Sequence, residues 1–556
     1  MQENVNLWLN SPSVSEDDKH LIRNLDQETL EDSFYKDLEF GTAGMRGVMG
    51  PGTNRINTHT ITRASKAYAM YINDFAKEQR VAIAYDNRNN SELFANVAAK
   101  VLATHNIEVL LFDELTATPL LSYAVRELNC GGGIVLTASH NPKEYNGFKV
   151  YDDRGCQLIP ELVDKVIENV ESLDNYLDID VSLSSEQEKL IKTIDDGLVE
   201  KYLNVVLDSQ KNKNDNDNFS IVFSPQHGTG YKIIPELLKR ANYNHYALKS
   251  QSIVDGNFPN TQSPNPEDPS AYIEAIKVAK EKDANLVVTT DPDADRVGVA
   301  VRHNGDYHLI NGNETTAIIL YYLLSEAKKA GKLTEDSLVI NTVVTSDLGE
   351  KIADGFNAKL LQTLTGFKYI GTLMDKGDNL KNYIYGYEES YGSLPLPIVR
   401  DKDAVSATMF ICEIAAYYDK KDMTLIDLLE EIYQEFGYYY DTQTNEELKG
   451  LDGSEKIKEI MKNFYGVKLG LDESLTITKT QNFNTLEETT EAGVIPIDLE
   501  SAAVMKIYFK DLGWIAIRPS GTEPKIKFYY SARGESATEA KENFEKMALY
   551  VKTKLK

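Results

Sequence analysis

Cysteine is almost absent: Cys130, Cys156 and Cys412 are the only three in 556 residues. They are too few and too scattered for a disulfide framework or a zinc site, and a reduced, cytoplasmic setting is expected. No apolar run approaches the ~20 residues needed to span a bilayer. The first residues, MQENVNLWLNSPSVSEDD, have no basic start and no apolar core, so no signal peptide is expected. Positive charge is scarce, with 59 Lys and Arg against 86 Asp and Glu and a net charge of −27. That balance argues against general affinity for nucleic acid or an anionic membrane. It leaves room for a small anionic substrate, because a local group of cations outweighs a distant acidic surface beyond a Debye length of about 10 Å.

What is present is a soluble globular composition, 42% hydrophobic and 26% charged, in a chain too long for one core. Three segments share one layout. RVAIAYDNRNNSELFANVAAKVLATHNIEVLLFDE, FSIVFSPQHGTGYKIIPELLKRANYNHYALK and DSLVINTVVTSDLGEKIADGFNAKLLQTL each read as apolar strand, polar loop, amphipathic helix and second strand. Each is a βαβ unit with a loop at the carboxyl end of its first strand, where open α/β sheets place ligands. The polar run DSQKNKNDNDNFS, residues 208–220, reads as a solvated connection, and MTLIDLLEEIYQEFG, residues 423–437, as the helix closing the third unit. The remainder has shorter strands and a final amphipathic helix, ATEAKENFEKMALYVKTKL. The expected domains are 1–200, 201–312 and 313–438, all α/β, and a smaller α+β domain at 439–556.

Four loops carry the chemistry. In VVTTDPDADRVGVAV an apolar strand leads into Asp291, Asp293 and Asp295, then Arg296 and a second apolar strand. Converging carboxylates at ~5 Å repel by roughly 3 kcal/mol per pair at an effective dielectric of ~20. A hard cation removes that repulsion, and oxygen ligands suit Mg²⁺. The alternative is a solvated acidic turn, but the buried flanking strands favour a metal. An EF-hand is excluded, since Arg296 stands where its glycine belongs and Arg302 where its last glutamate belongs. In IAIRPSGTEPKIKFY, the loop Arg518, Ser520, Gly521 and Thr522 offers N–H groups, hydroxyls and a guanidinium suited to phosphate. An ordinary hairpin turn explains it equally well.

YGYEESYGS sets Glu388, Glu389 and Ser390 between glycines, as acceptors for sugar hydroxyls or as a plain acidic turn. Nearby RDKD adds Arg400 and Lys402, and FGTAGMRG places Arg46 in a glycine-rich turn. LTASHNPKEYNGFKVY follows the strand-like GGGIV and crowds Ser139, His140, Asn141, Lys143 and Lys149 into one stretch. A hydroxyl with cationic neighbours, in a chain with a metal loop and a phosphate loop, suggests phosphoryl transfer through a phosphoserine. Without those loops, Ser139 and Asn141 would read as turn caps and His140 as a structural histidine. A dinucleotide-binding enzyme is excluded, because GGG at 131–133 precedes its strand instead of following it.

The four motifs TASHNP, DPDADR, GYEES and RPSGTEP, in that order across nearly the whole chain, resemble those of the α-D-phosphohexomutase superfamily, the phosphoglucomutases and phosphomannomutases. GTAGMRG and TGFKYIG, residues 365–371, look most like the phosphoglucomutase–phosphopentomutase branch. The resemblance implies three similar α/β domains with mixed sheets and an α+β C-terminal domain around one central cleft. It implies that Ser139 carries the phosphoryl group and, through a phosphate oxygen, joins Asp291, Asp293 and Asp295 in holding Mg²⁺. Arg296, Thr365, Gly366, Glu388, Ser390 and Lys402 would meet substrate, and Arg518, Ser520, Gly521 and Thr522 the phosphate that does not react. Arg46, His140 and Lys149 would line the reacting centre, with Lys149 or His140 as proton carriers.

The implied activity is exchange of glucose 1-phosphate and glucose 6-phosphate, with glucose 1,6-bisphosphate as activator and intermediate. Mannose, pentose or deoxyribose phosphates, bisphosphate synthesis, or sugar-phosphate binding without catalysis are the alternatives. The partner is a small phosphosugar, with no nucleic acid or membrane, and the chain is expected as a monomer or homodimer. Tyr387 inside GYEES, and Arg154 and Cys156 in VYDDRGCQL, depart from the common pattern.

Overall fold

A computed structural model describes residues 1–41, 44–215, 218–448, 453–519 and 525–555. The chain forms two compact units, one of residues 1–312 and 367–424, the other of residues 313–366 and 425–556.

The first unit contains two mixed sheets. In the six-stranded sheet the order is Met45–Val48, Tyr145–Tyr151, Gly132–Leu136, Arg80–Tyr85, Glu108–Leu111, Ile191–Thr193. The first two pairings are antiparallel and the rest parallel. The five-stranded sheet runs Asp306–Ile310, Val297–His303, Leu286–Thr290, Ser220–Ser224, Asn244–Ala247, again antiparallel at one side and parallel at the other. Central strands such as VAIAY and LVVTT are buried along their whole length, which is why they read as continuous apolar runs rather than alternating ones. Helix Thr58–Phe75 starts at a capping box made by Asn57 and Thr60 and buries Ala64, Tyr68 and Ile72 against the first sheet's core. The unit also contains the antiparallel pair Tyr383–Tyr387 and Ser393–Leu394, and the buried helix Ala404–Asp419.

The second unit contains the parallel pair Leu338–Thr342 and Lys359–Thr363 with helix Leu348–Gly355 between them. It also contains the C-terminal sheet, in which Lys525–Gly534 pairs antiparallel with both Tyr438–Glu447 and Gly513–Pro519. Ile507, Ile515, Ile517 and Phe528 form its core with Phe464 and with Met547 and Tyr550 of the final helix, Ala537–Lys554. The protein thus has three α/β regions, as the repeated layout predicts, with the mixed sheets that the resemblance implies, and a C-terminal domain built on an antiparallel sheet.

The polar run 208–220 is less free than expected. The N–H groups of Lys211 and Asn212 both donate to the buried Glu413 at 2.8 Å, so part of the connection is anchored rather than solvated. All three cysteines are buried free thiols, and burial pushes Cys130 up to about 12. Among the described residues no helix is long and apolar enough to cross a membrane.

Register sets the site. Leu136 pairs with Tyr85, so the loops after these strands leave the first sheet side by side. Ser224 pairs with Thr289, so loop 225–229 emerges beside the loop that follows Thr290.

A titratable group lies in the second unit. Burial raises the Asp441 carboxyl from its usual value of 3.8 to about 7; the nearby hydroxyls of Ser531 and Ser346 oppose the rise, and Glu314 and Asp347 add to it. The folded state therefore keeps a proton that the unfolded chain releases near pH 4. The resulting stability is full below that pH and falls until about pH 7. Asp441→Asn is expected to melt higher than the parent at pH 8 and to lose that advantage at pH 4. Thermal unfolding of both proteins across this range checks it, and parallel pH profiles would contradict it.

Candidate active site

Ser139 occupies the left-handed region at φ 49°, a conformation that costs a non-glycine residue on the order of 1 kcal/mol. Its N–H donates to Thr137 Oγ1 at 2.8 Å, and the turn directs Oγ inward, with the residue only 3% exposed. Oγ donates to Asp291 Oδ2 at 2.5 Å and lies 3.1 Å from His140 Nδ1. Arg46 reaches the same loop, donating to Asn141 Oδ1 at 2.9 Å.

Asp291, Asp293 and Asp295 are all buried, and one carboxylate oxygen from each lies within 4.8 Å of the others. The loop turns through Ala294 at φ 53°. It is held from both sides. Thr118 donates its N–H to the Asp293 carbonyl, and Thr229 donates its N–H to that of Pro292. Gly228 must lack a side chain, since a Cβ there would lie 2.3 Å from Pro292 Cα.

Asp291 has both carboxylate oxygens hydrogen-bonded, whereas Asp293 and Asp295 each have one. Asp291 Oδ1 accepts the N–H groups of Asp295 and Arg296 at 3.1 and 3.0 Å. Asp293 Oδ2 accepts from Lys149 Nζ at 3.1 Å and Thr118 Oγ1 at 3.0 Å. Asp295 Oδ2 lies 3.0 Å from Lys402 Nζ and 3.9 Å from Lys149 Nζ. Asp293 Oδ1 and Asp295 Oδ1 are buried with no hydrogen-bond partner. Buried, unsatisfied anionic oxygens are costly, and a hard divalent cation answers that need. The donor set therefore fits Mg²⁺.

Burial, and then repulsion from Asp293 and Asp295, push Asp291 well above the usual carboxylate range. Burial acts the same way on Asp293, but the Lys149 ammonium and its hydrogen bond reverse the effect and hold it below that range. Burial lowers the Lys402 ammonium, yet Asp295, Asp401 and Glu388 outweigh it and raise its pKa overall. Burial, followed by the charges of Arg296 and Arg46, holds His140 well below its ordinary value, so its ring is neutral at pH 7.

The loop of residues 388–392 packs onto this centre. Arg296 bridges to Gly392, and the Val297 N–H donates to the Tyr391 carbonyl. Gly392 accommodates Lys402, whose Cδ would lie 2.2 Å from a Cβ there. Glu388 is buried and raises the pKa of both Arg296 and Lys402, while Ser390 is half-buried two residues on.

The first unit thus brings together Arg46, Ser139, His140, Lys149, Asp291, Asp293, Asp295, Arg296, Glu388, Ser390 and Lys402. Thr365, Gly366 and Arg518 belong to the second unit, Gly366 at φ 124° and Arg518 in strand Gly513–Pro519. Ser520, Gly521 and Thr522 lie outside the described residues.

Sequence reading missed several partners. Arg88 grips the Ser139 loop, and Thr118 holds Asp293. Asp401, which accepts from Tyr151 and Gln157 at 2.8 Å, orients Lys402. Glu267 takes Arg296 at 2.6 Å. Only Arg88 had a local signal, its place in a strand-end loop. Arg400 is fully buried and fixed on Asp375 and on the carbonyls of Pro397 and Val399, a structural role. Arg154 pairs with Asp152, and Cys156 donates to the Lys368 carbonyl.

Residues 37–177, 199–305 and 311–436 match the models of phosphoglucomutase/phosphomannomutase alpha/beta/alpha domains I, II and III, and residues 477–548 that of its C-terminal domain. A phosphoglucomutase of Staphylococcus aureus is 37% identical over 519 residues, 93% of each chain. The open form of parafusin (phosphoglucomutase) from Paramecium superimposes with a TM-score of 0.69 at 20% identity, over 94% of this chain and 95% of that one. An N-acetylphosphoglucosamine mutase of Aspergillus fumigatus, solved with GlcNAc-6P and magnesium, gives 0.51 at 13% identity, over 94% and 97%. With four domain models in order and a full-length relative at that identity, the chain belongs to the α-D-phosphohexomutase superfamily, the four-domain family of phosphoglucomutases and phosphomannomutases.

Proposed function

We propose that this phosphohexomutase interconverts glucose 1-phosphate and glucose 6-phosphate through a phosphoserine at Ser139 and a glucose 1,6-bisphosphate intermediate. The observation that carries the reading is the aim of Ser139 Oγ, 2.5 Å from one of three clustered buried carboxylates, the other two of which each keep an oxygen without a hydrogen bond. The choice of glucose rests on the phosphoglucomutases at 37% identity. Four domains at 1–200, 201–312, 313–438 and 439–556 complete the proposal.

In the forward half-reaction the phosphoryl group of Ser139 moves to the free hydroxyl of the bound sugar phosphate. The P–Oγ bond breaks as the new P–O bond forms. The hydroxyl proton passes to neutral His140, the candidate base, and Oγ takes a proton from the Lys149 ammonium, the candidate acid, to end as a hydroxyl. The bisphosphate then turns over, and its other phosphate returns to Oγ. Mg²⁺ held by Asp291, Asp293, Asp295 and the phosphoserine would offset charge on the phosphoryl group in flight. Arg46, Arg296 and Lys402 supply positive charge for the phosphates. Glu388 and Ser390, with Thr365 and Gly366, contact the sugar. Arg518, Ser520, Gly521 and Thr522 hold the phosphate that is not reacting, through contacts indifferent to sugar identity.

Intact-mass and peptide mapping after incubation with glucose 1,6-bisphosphate should find phosphate on Ser139. Ser139→Ala should lose at least about a thousandfold in turnover, as removal of a nucleophile commonly does. Full activity in that variant ends the phosphoserine reading.

Chelation should abolish activity, and added Mg²⁺ should restore it. Asp293→Asn should cost about 100- to 1,000-fold in kcat, the scale of losing one electrostatic stabiliser of a transition state. Turnover that survives thorough chelation rules the metal out.

The sugar is tested by comparing kcat/KM for glucose, mannose and ribose 1-phosphates with bisphosphate present. Glucose should lead by at least tenfold. A lead for mannose or ribose would reassign the substrate while leaving the mutase chemistry intact.

A further inference from the structure

The Ser139 loop is held by one side chain to which no role has been given. Arg88 follows strand Arg80–Tyr85 in the sequence DNRN. Its guanidinium is fully buried and makes four hydrogen bonds, three to main-chain carbonyls of the Ser139 loop and one to that of Tyr145, where the next strand begins. Nη2 donates to Ser139 at 2.5 Å and Asn141 at 2.6 Å, and Nη1 donates to Pro142 at 2.8 Å and Tyr145 at 3.0 Å. Four neutral acceptors do not neutralise the cation. The Asp86 carboxylate, 3.4 Å from Nε, is its one ion-pair partner among the described residues. Asp86 is in turn engaged by the Arg88 N–H at 2.9 Å and Ser91 Oγ at 2.8 Å. This is a planar fork whose geometry matches several acceptors at once, something a single ammonium cannot reproduce.

The outer face of the guanidinium meets Phe258, whose ring centroid is 5.3 Å from Cζ. Phe258 comes from the second α/β region and is itself held at φ 51° and 5% exposure. Its loop is tied down on both sides. The His227 ring meets the Ile253 carbonyl through Nδ1 at 2.7 Å and the Asn260 N–H through Nε2 at 3.3 Å. Asn87 and Asn89, flanking Arg88, donate to the Asp255 carbonyl and Asn257 Oδ1 at 3.1 and 3.2 Å. The region that contributes Asp291 to Ser139 thus also clamps the arginine beneath it.

Ser139 has two reasons to need such a clamp. Its φ of 49° is disfavoured, and its Oγ must stay on the aspartates both as a hydroxyl and as a phosphate ester of charge near −2. We infer that Arg88, backed by Phe258, is a positioning residue that locks the Ser139 main chain in its left-handed turn through both states, and that its buried charge favours the phosphorylated one. This rests on the phosphoserine reading above.

The test uses the full-length enzyme and three proteins: the parent, Arg88→Lys and Phe258→Leu. Each is incubated with glucose 1,6-bisphosphate. Phosphate on Ser139 is then followed by intact mass and by its ³¹P resonance, alongside kcat, KM and melting temperature.

Arg88→Lys should lose about 100-fold in kcat, the scale of a 1 Å misplacement, with KM for glucose 1-phosphate within about twofold. Its phosphoserine should shift in ³¹P frequency and hydrolyse faster than the parent's. Phe258→Leu should show the same changes at about tenfold in kcat. A purely structural role would instead lower melting temperature and active fraction, leaving kcat per folded molecule and the ³¹P signal unchanged, and would overturn the inference. Should Arg88→Lys fail to fold, Phe258→Leu decides alone, and parental kcat and hydrolysis rate in it overturn the inference. If the parent itself takes up no phosphate on Ser139, the phosphoserine reading fails first. If the parent is phosphorylated and the variants match it, only the Arg88 inference fails.

Discussion

Three carboxylates are buried within 4.8 Å of one another, and the arrangement of the first unit follows from what keeps them there. Unassisted, they would repel by roughly 3 kcal/mol per pair at ~5 Å and an effective dielectric of ~20. The surrounding residues supply partial relief. Lys149 meets Asp293, Lys402 meets Asp295, and main-chain N–H groups meet Asp291. The relief is incomplete: Asp291 remains pushed upward, and two carboxylate oxygens accept no hydrogen bond. That deficit is the physical basis for expecting a divalent cation, and it explains why a serine hydroxyl is drawn to Asp291.

Holding such a centre requires strain elsewhere. Ser139, Ala294 and Tyr391 all sit at positive φ without being glycine, one in each of the three loops that meet at the centre. Each is held by fixed neighbours: Arg88 under the serine loop, Thr118 and Thr229 against the aspartate loop, and the Arg296–Gly392 bridge beside Tyr391. Strained loops persist when the scaffold over-determines them, and here the scaffold is paired parallel strands whose ends lie side by side. The cations are positioned in the same layered way. Tyr151 and Gln157 hold Asp401, and Asp401 lies 3.3 Å from the Lys402 ammonium.

Much of the fold was legible in the sequence because its determinants are local. The strand–loop–helix–strand runs at Arg80, Ser220 and Leu338 follow from apolar periodicity within about 30 residues, the length of one βαβ unit. The polar run at 208–220 is exposed at Asp208, Lys211, Lys213, Asp215 and Asn218, as its composition predicts, but its anchor was not legible, for the complementary reason. Its composition reads as solvated, but the anchoring Glu413 lies 201 and 202 residues away from Asn212 and Lys211. No window on the sequence could have paired them.

The site divides along the same line. The sequence by itself marked the candidate residues for the chemistry. Three aspartates spaced by two on one strand-end loop, and a serine among cations on another, stand out by residue type and spacing as candidates. Tertiary structure decided which of them meet. Ser139 reaches Asp291 across 152 positions, and Lys149 reaches Asp293 across 144. It alone gave Arg88 its four carbonyls and Phe258 its place over the guanidinium. The reason is physical. Hydrogen bonds and ion pairs depend on ångström-scale distance and direction, and across long loops these are set by strand register and packing, which neighbours in sequence do not encode.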